Sequence, residues 1–240
     1  MPKRFQPVVL CYHAVSDSWP HLLAVTPQAF ERQLRSMRLR GYRPVTAADA
    51  VSGRGRVFHV TFDDAYRNVA NAVPSLERLG VPATVFACSS FADDGRPLAI
   101  TELAAEARAH PDALATMDWD QLRDLAERNV EIGSHTLTHA HLTQLSDAEL
   151  DAELRDSRAR IEAELGRPCR FVAYPYGDDD ERVHRAARTA GYEAGFAAPG
   201  RLIPPSAYAL PRVGIWRHDS LLRMTLKTTG IVRRTLDARR

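Results

Sequence analysis

Short apolar runs alternate with longer amphipathic segments along the chain. The short runs are rich in Val, Ala, Phe and Ile and are bounded by Pro, Gly and Asp, a pattern typical of buried β-strands. Seven such runs predict strands at Pro7 to Tyr12, Val57 to Phe62, Ala83 to Ala87, Val130 to Gly133, Arg170 to Ala173, Tyr192 to Ala197 and Leu210 to Ile215.

The segments between the runs carry the start and stop signals of helices. One helix is predicted from Pro27 to Arg40, because proline suits a first helical turn and a glycine follows the last residue. Another follows Ser146, an N-cap residue with Glu149 three positions on, and ends at Gly166. A third runs from Asp179 to Ala190. This alternation predicts an α/β fold with a parallel sheet, open or closed into a barrel, and functional residues after the carboxyl ends of its strands.

Composition narrows the class of protein and leaves the predicted α/β fold unchanged. The 240 residues suit one domain spanning 1–240, and a net charge of +2 is too small for a nucleic-acid binder. No apolar run approaches the roughly 20 residues of a membrane-spanning helix. Cys11, Cys88 and Cys169 are widely spaced, which favours free thiols over disulfides or a Cys-rich zinc site and predicts a cytoplasmic location.

Two adjacent carboxylates follow the second predicted strand. Asp63 and Asp64 come directly after the apolar run that ends at Phe62. Adjacent residues that leave a strand point in different directions, so one carboxylate can bind a cation while the other stays free as a base. An Asp pair also commonly forms a turn and caps a helix, and for this motif alone that interpretation stays open.

Two histidines follow the fourth predicted strand. His135 and His139 would share one face of a helical turn, and both could bind one metal ion through imidazole nitrogen. Two surface histidines on a polar turn are the alternative, because a two-residue pattern is loose. Together with one aspartate, the pair supplies three ligands and leaves a position for water, which is typical of a catalytic metal site. His141 is expected on the outer side of the turn.

A third polar loop follows the strand at Arg170 to Ala173. The residues Tyr174-Pro-Tyr-Gly177 break that strand and expose backbone N–H groups, where a loop could hold a developing oxyanion. A simple turn explains the same residues.

Taken in this order, the three motifs resemble those of a known enzyme family. Thr61-Phe-Asp-Asp, Ser134-His-Thr-Leu-Thr-His and Tyr174-Pro-Tyr-Gly are similar to the main motifs of the polysaccharide deacetylases, the NodB-homology domain of carbohydrate esterase family four. The resemblance covers the chain from Pro7 to Val213. It implies a distorted (β/α) barrel of about seven parallel strands with surrounding helices. It also implies a bound divalent metal ion, most commonly zinc, with cobalt or nickel as other options.

Carried over residue by residue, the resemblance assigns roles to the motif residues. It implies that Asp64, His135 and His139 bind the metal ion and that Asp63 is the general base. It also implies that the backbone N–H of Tyr176 helps to hold the oxyanion. The expected reaction is hydrolysis of the N-acetyl group of an N-acetylated amino sugar, which releases acetate and a free amine.

The chain departs from the usual pattern of this family. Ala173 stands where many members have an arginine that orients the base. The tryptophan-bearing motif expected around Gly191 to Pro199 is missing, and no clear Leu-x-His motif near the end supplies the general acid.

Other residues resemble substitutes for the missing groups. Cys11-Tyr-His-Ala-Val15 is similar to a motif of the poly-N-acetylglucosamine deacetylase subgroup, and this resemblance assigns the general acid to His13, with His218 as the reserve candidate. Leu210-Pro-Arg-Val213 is similar to a late strand of the same subgroup, so Arg212 is expected to orient Asp63. A core histidine and a structural ion pair are the alternative interpretations of His13 and Arg212.

The sequence leaves the substrate open. An N-acetylated sugar, oligosaccharide, polysaccharide or lipid-linked glycan is expected; the alternatives are hydrolysis of a formamide or another small or lipid-linked amide, and non-catalytic glycan binding.

The long connection from Ala92 to Met117 could cover the cleft or be a surface excursion. The tail from Leu222 to Arg240 reads as a basic amphipathic helix that could rest on an anionic membrane, or as the solvated face of a terminal helix.

Overall fold

The computed structural model describes residues 7–53, 55–98, 100–200 and 206–229. Its strands in chain order are β1 (Val8–Tyr12), β2 (Ala14–Val15), β3 (Ala24–Val25), β4 (Arg43–Pro44), β5 (Val57–Phe62), β6 (Ala83–Ala87), β7 (Val130–Ser134), β8 (Phe171–Ala173), β9 (Ala194–Phe196) and β10 (Val213–Gly214). Its α-helices are α1 (Pro27–Leu39), α2 (Ala47–Ser52), α3 (Val73–Leu79), α4 (Ala104–Ala109), α5 (Pro111–Leu114), α6 (Trp119–Glu127), α7 (Asp147–Leu165), α8 (Glu181–Thr189) and α9 (Leu221–Thr228). Short 3₁₀ turns lie at Arg67–Ala72, Thr101–Leu103, Leu142–Gln144 and Pro175–Gly177.

Seven parallel strands form one curled sheet in the order β10-β1-β5-β6-β7-β8-β9. The stretch before β10 links the two edges, because Leu210 bridges to Phe196 of β9 and Val213 pairs with Leu10 of β1. The sheet is therefore a distorted (β/α) barrel, as the alternation of strands and helices and the family resemblance predicted. Each of the seven predicted apolar runs coincides with one of these strands, although β7 extends one residue further, to Ser134, and β9 and β10 are shorter than predicted.

Alternating side chains along the strands form two apolar cores. One set packs together inside the curled sheet and includes Val9, Val57, Phe86, Phe171 and Phe196. The other set packs outward against the helices and includes Leu10, Val60, Val85, Ile132 and Val172. Because alternation has a period of two residues, Cys11 continues the inward set of β1, and Asp63 continues that of β5. The strand pattern thus aims both polar groups at one end of the barrel interior.

The predicted helices begin and end where their capping residues indicate. Thr26 caps α1, which starts at Pro27. A complete capping box of Ser146 and Glu149 starts α7, and Gly166 ends it in the left-handed conformation. The third predicted helix is α8, which is shorter by a residue or two at each end than the pattern indicated. These fixed ends determine where the loops at the carboxyl edge of the sheet begin.

The long connection at residues 92–117 packs against the first loop of the chain. It carries α4 and α5, and its apolar residues form a cluster with Trp19, Tyr66 and Cys88. Trp19 Nε1 donates a hydrogen bond of 2.9 Å to Glu106 of α4. The connection is therefore part of the folded structure beside the loop that follows β5.

Cys11, Cys88 and Cys169 are buried free thiols, as predicted.

In the described ranges, no helix is long and apolar enough to cross a bilayer. α9 exposes Leu222 and Leu226, but the later basic residues of the predicted amphipathic tail lie outside the described residues. Membrane contact through this tail therefore stays a prediction.

Candidate active site

Asp64, His135 and His139 form a buried cluster at the carboxyl ends of β5 and β7. Asp64 Oδ1 lies 3.4 Å from His135 Nε2 and 3.3 Å from His139 Nε2. The possible ligand atoms of the three residues all lie within 4.8 Å of one another. The loops after two neighbouring strands thus bring together the three side chains that the sequence singled out as metal ligands.

The histidine loop does not form the helical turn that the spacing suggested, so that prediction is wrong. Thr136 and His139 have positive φ angles of 69° and 66°, which interrupt any helix. The imidazoles still meet, with ring centroids 4.9 Å apart. His135 Nδ1 lies 2.8 Å from the Ala173 carbonyl, to which it donates. That hydrogen bond leaves Nε2 unprotonated and available as a ligand atom in the neutral ring.

These residues have the chemistry of a divalent metal site. Two imidazole nitrogens and one carboxylate form a common three-ligand set for catalytic zinc, and the described residues leave the remaining position to water or substrate. Burial alone would lower the pKa of His135, but the carboxylates of Asp64 and Asp63 raise it above its usual value. The same negative charge favours a bound cation. The cluster therefore fits the ion that the resemblance implies.

Asp63 is not one of the three clustered residues and is held by Arg212 instead. The guanidinium donates to both carboxylate oxygens, at 2.6 and 2.8 Å, and its Nε donates to the Ala197 carbonyl at 2.8 Å. Burial alone would raise the pKa of Asp63, but the charge of Arg212 holds it below its usual value. Arg212, directly before β10, therefore stands where it can orient Asp63, whereas Ala173, the position at which the resemblance implied an arginine, is the last residue of β8.

His13 lies beside Asp63 at the end of β1. One of its ring nitrogens belongs to a group of possible ligand atoms, with Cys11 and Asp63, that all lie within 4.8 Å of one another. The ring stacks on Trp216 with centroids 5.5 Å apart, and its Nδ1 is buried without a hydrogen-bond partner in the described chain. Burial lowers the pKa of His13, and the charges of Asp64 and Asp63 only partly offset this. The reserve candidate, His218, is exposed, and no hydrogen bond or ion pair among the described residues links it to this region.

Tyr176 lies on the loop after β8 and borders the histidine cluster. Its ring meets the edge of His139 at 4.6 Å and stacks on His141 at 3.9 Å between centroids. Asp178 joins the two loops because it accepts hydrogen bonds from the Thr143 N–H and hydroxyl, at 2.9 and 2.6 Å. These contacts fix the Tyr176 backbone beside the candidate metal ligands, and they hold the half-exposed His141 on the outside, as expected.

Backbone strain is concentrated in the three motif loops. In the described chain, six residues other than glycine have a positive φ. Five of them lie in these loops: Asp64, Ala65, Thr136, His139 and Tyr176. Each such conformation costs on the order of 1–3 kcal/mol and persists where surrounding structure enforces it, most often at functional sites. The strain supports the assignment of this region as the active site.

Two further residues belong to this region but were not predicted from the sequence. Cys11 Sγ donates to Asp63 Oδ2 at 3.4 Å. The Tyr66 hydroxyl is buried and makes no hydrogen bond of normal geometry with the described residues, and burial and the neighbouring Asp64 carboxylate raise its pKa well above the usual value. A cysteine or a tyrosine among apolar residues is usually part of the core, so neither residue stood out in the sequence. Only the alternation of side chains along β1 could have predicted that Cys11 lies beside Asp63.

Comparison with known proteins places this site in a family context. The family model of polysaccharide deacetylase matches residues 50–195, which is more than half of the chain. YxkH of Bacillus subtilis, which is named as a polysaccharide deacetylase, is 25% identical over 217 residues, covering 86% of this chain and 70% of that protein.

Two solved structures share the fold over most of their length. The deacetylase PplD of Streptococcus pyogenes, solved in complex with acetate, superposes with a TM-score of 0.76 at 20% identity, covering 93% of this chain and 98% of that one. IcaB from Ammonifex degensii gives a TM-score of 0.76 at 24% identity, with 93% and 97% of the two chains covered.

A distorted barrel with a paired aspartate motif, a histidine motif and a Tyr-Pro-Tyr-Gly loop defines a hydrolase of the deacetylase class. The chain belongs to the polysaccharide deacetylase family. The resemblance of its three motifs to that family is thus confirmed.

Proposed function

We propose that this protein is a metal-dependent N-deacetylase that hydrolyses the N-acetyl group of an N-acetylated amino sugar in a glycan or glycoconjugate. The observation that carries the proposal is the separation of two adjacent carboxylates at one end of the barrel. Asp64 lies with two imidazoles, whereas Asp63 is held by Arg212 and lies beside His13. Ligands, base and acid are thus gathered in one small region.

Asp64, His135 and His139 would hold the divalent ion, for which zinc is the best fit and cobalt or nickel are substitutes. When bound, such an ion polarises an acyl carbonyl and lowers the pKa of water from 15.7 toward about 7. An amide needs this assistance because its carbonyl is a poor electrophile.

Asp63 takes the proton of the attacking water. The two hydrogen bonds from Arg212 use one lone pair on each carboxylate oxygen, and the Cys11 thiol uses a second position on Oδ2, so a further lone pair on Oδ1 remains for that proton. Because Arg212 keeps the pKa of Asp63 low, the carboxylate stays ionised at neutral pH. Arg212 also fixes the plane of the carboxylate, which replaces the orienting arginine missing at position 173.

Tyr176 and His13 complete the proposed chemistry. The backbone N–H of Tyr176 donates to the oxyanion as it forms, and one such donor is typically worth about 3–4 kcal/mol. His13 gives a proton to the leaving amine nitrogen, without which an amine leaves poorly. Burial lowers the pKa of His13, so its protonated form is a stronger acid but a smaller fraction of the protein at neutral pH.

The test is acetate release from a panel that spans an N-acetylated monosaccharide, a lipid-linked sugar and poly-N-acetylglucosamine. His13→Ala should lower turnover about 10²–10⁴-fold while metal content, measured by mass spectrometry, is retained. Asp64→Ala should lose both. His218→Ala is the matched control and should keep activity; if its turnover fell and that of His13→Ala did not, the acid assignment would be wrong.

The same panel separates the other candidate functions. Release of formate from N-formyl sugars without release of acetate would identify a deformylase. Glycan binding by the metal-loaded protein with no hydrolysis on any member would identify a non-catalytic relative. Either result would overturn the proposed reaction.

A further inference from the structure

A second set of metal-ligand side chains lies beside the first. Cys11 Sγ, a ring nitrogen of His13 and a carboxylate oxygen of Asp63 all lie within 4.8 Å of one another. We propose that Cys11, His13 and Asp63 form a second binding site for a thiophilic divalent cation such as Zn²⁺, Co²⁺ or Cd²⁺, and that its occupation inhibits the enzyme.

The three side chains have free coordinating positions. Arg212 and the Cys11 thiol use part of the capacity of the Asp63 carboxylate, which has about four lone-pair positions in all. Displacement of the thiol proton frees one of these positions and the sulfur together. His13 Nδ1 is buried and has no hydrogen-bond partner in the described chain, so the ring has an unused nitrogen.

The chemistry of the three donors selects the cation. Sulfur, imidazole nitrogen and carboxylate oxygen form a set that suits zinc and its soft relatives, whereas Mg²⁺ and Ca²⁺ prefer oxygen ligands. Without a cation, the Cys11 thiol donates a hydrogen bond to Asp63. A thiophilic cation displaces that proton to solvent, because a coordinating thiol is deprotonated outright.

The charges around the site permit a second cation near the first. Asp63 and the new thiolate contribute two negative charges, and Arg212 contributes one positive charge. Two metal ions about 3.5–4 Å apart occur together in other hydrolases. Of these two ligand sets of described residues, only the second contains sulfur, and this difference can be measured.

The inhibition rests on the proposed function. A cation at the second site would occupy Asp63 and His13 together, and these are the proposed base and acid. Binding of the first ion would therefore activate hydrolysis, and binding of the second would suppress it. The binding itself does not depend on which reaction the enzyme performs.

The experiment is a Co²⁺ titration of the chelator-treated, metal-free protein in a thiol-free reductant. The first equivalent should enter the Asp64, His135 and His139 cluster and give only weak visible bands. The second should add the intense near-ultraviolet band of thiolate-to-cobalt charge transfer. Equilibrium dialysis should count two bound ions.

Matched variants assign the band to one thiol. Cys11→Ala and Cys11→Ser should lose the band and one of the two equivalents; the serine variant keeps a hydrogen-bond donor toward Asp63 and guards against a packing effect. Cys88→Ala should keep the band, although Cys88 is also a buried thiol beside the site, 3.1 Å from the His135 carbonyl. Asp64→Asn should lose the first ion and keep the band. Circular dichroism checks that each variant is folded.

The outcomes separate the second site from the proposed reaction. A band that never appears, or that survives in Cys11→Ala, overturns the second site. With zinc, acetate release should rise with the first equivalent and fall with the second in the original chain, and the fall should be absent in Cys11→Ser. If no substrate is hydrolysed but the band follows Cys11, the second site stands and the proposed function fails.

Discussion

Replacing Arg212 by glutamine tests the coupling between the fold and the proposed base. Arg212 and Asp63 form a salt bridge in which the two side chains are only 1% and 6% exposed. The variant Arg212→Gln keeps a hydrogen-bonding group but removes the only described cationic partner of a buried carboxylate. Asp63 is then left with a charge that burial opposes.

The expected cost follows from burial. Removal of one partner of a buried ion pair typically costs about 3–5 kcal/mol, because the other charge stays buried without compensation. A natural domain has a total stability of about 5–15 kcal/mol, so the variant should fold but unfold at clearly lower urea concentration. Arg170 and Glu193 provide the control, since they also pair through two hydrogen bonds but are 38% and 54% exposed. Arg170→Gln should cost at most about 1 kcal/mol.

Urea unfolding followed by circular dichroism measures both free energies. We also expect acetate release by Arg212→Gln to be lost as the pH falls through a higher value than in the original chain, because without Arg212 burial raises the pKa of Asp63. Equal costs for Arg212→Gln and Arg170→Gln would refute the reasoning, since they would mean that Asp63 is not an ionised, buried partner.

Three further predictions concern one residue inside β5 and two residues of the loop that follows it. Burial lowers the pKa of His59 from 6.5 to about 4, so between these pH values the folded protein binds fewer protons than the unfolded chain. The free energy of unfolding should therefore fall by about 3 kcal/mol from pH 6.5 to pH 4. In urea titrations of His59→Gln, this free energy should depend less steeply on pH. Tyr66→Phe removes a buried hydroxyl beside Asp64 and should weaken metal affinity about 10–100-fold, as measured by competition with a coloured chelator. Unchanged affinity would mean that Tyr66 does not support metal binding. Ala65→Gly relieves a φ of 48° and should raise the free energy of unfolding by about 1 kcal/mol, whereas Ala87→Gly in β6 should lower it.

Local sequence signals predicted most of the strands and helices, because these elements are determined by patterns that extend over a few residues. The apolar runs contain the seven main strands, and the Ser146 capping box starts α7. The two-residue strands β2 and β3 were not predicted, since their pairing depends on distant groups. Arg217 holds that loop by donating to the carbonyls of Ser16, Trp19 and Ala24, and no local pattern encodes such contacts.

The site was predictable where its chemistry needs distinctive residue types at strand ends. Asp64, His135 and His139 meet as their spacing after the strands indicated. The helical turn was wrong because the i,i+4 spacing does not reveal the left-handed backbone of Thr136 and His139. Tyr66 was missed because an aromatic residue after a strand looks like core. Local signals cannot report that its buried hydroxyl lies beside the Asp64 carboxylate.

The pairing of β1 with β10 has a consequence for how the protein is made. The matched family region, 50–195, contains the proposed metal ligands, whereas His13 and Arg212 flank it on either side. As the chain leaves the ribosome, Asp63 emerges about 150 residues before the guanidinium that neutralises it. Because burial of an unpaired carboxylate is unfavourable, we expect Asp63 to stay in solvent until then and to delay closure of the barrel. Nascent chains should therefore become protease-resistant only after the last strand has emerged.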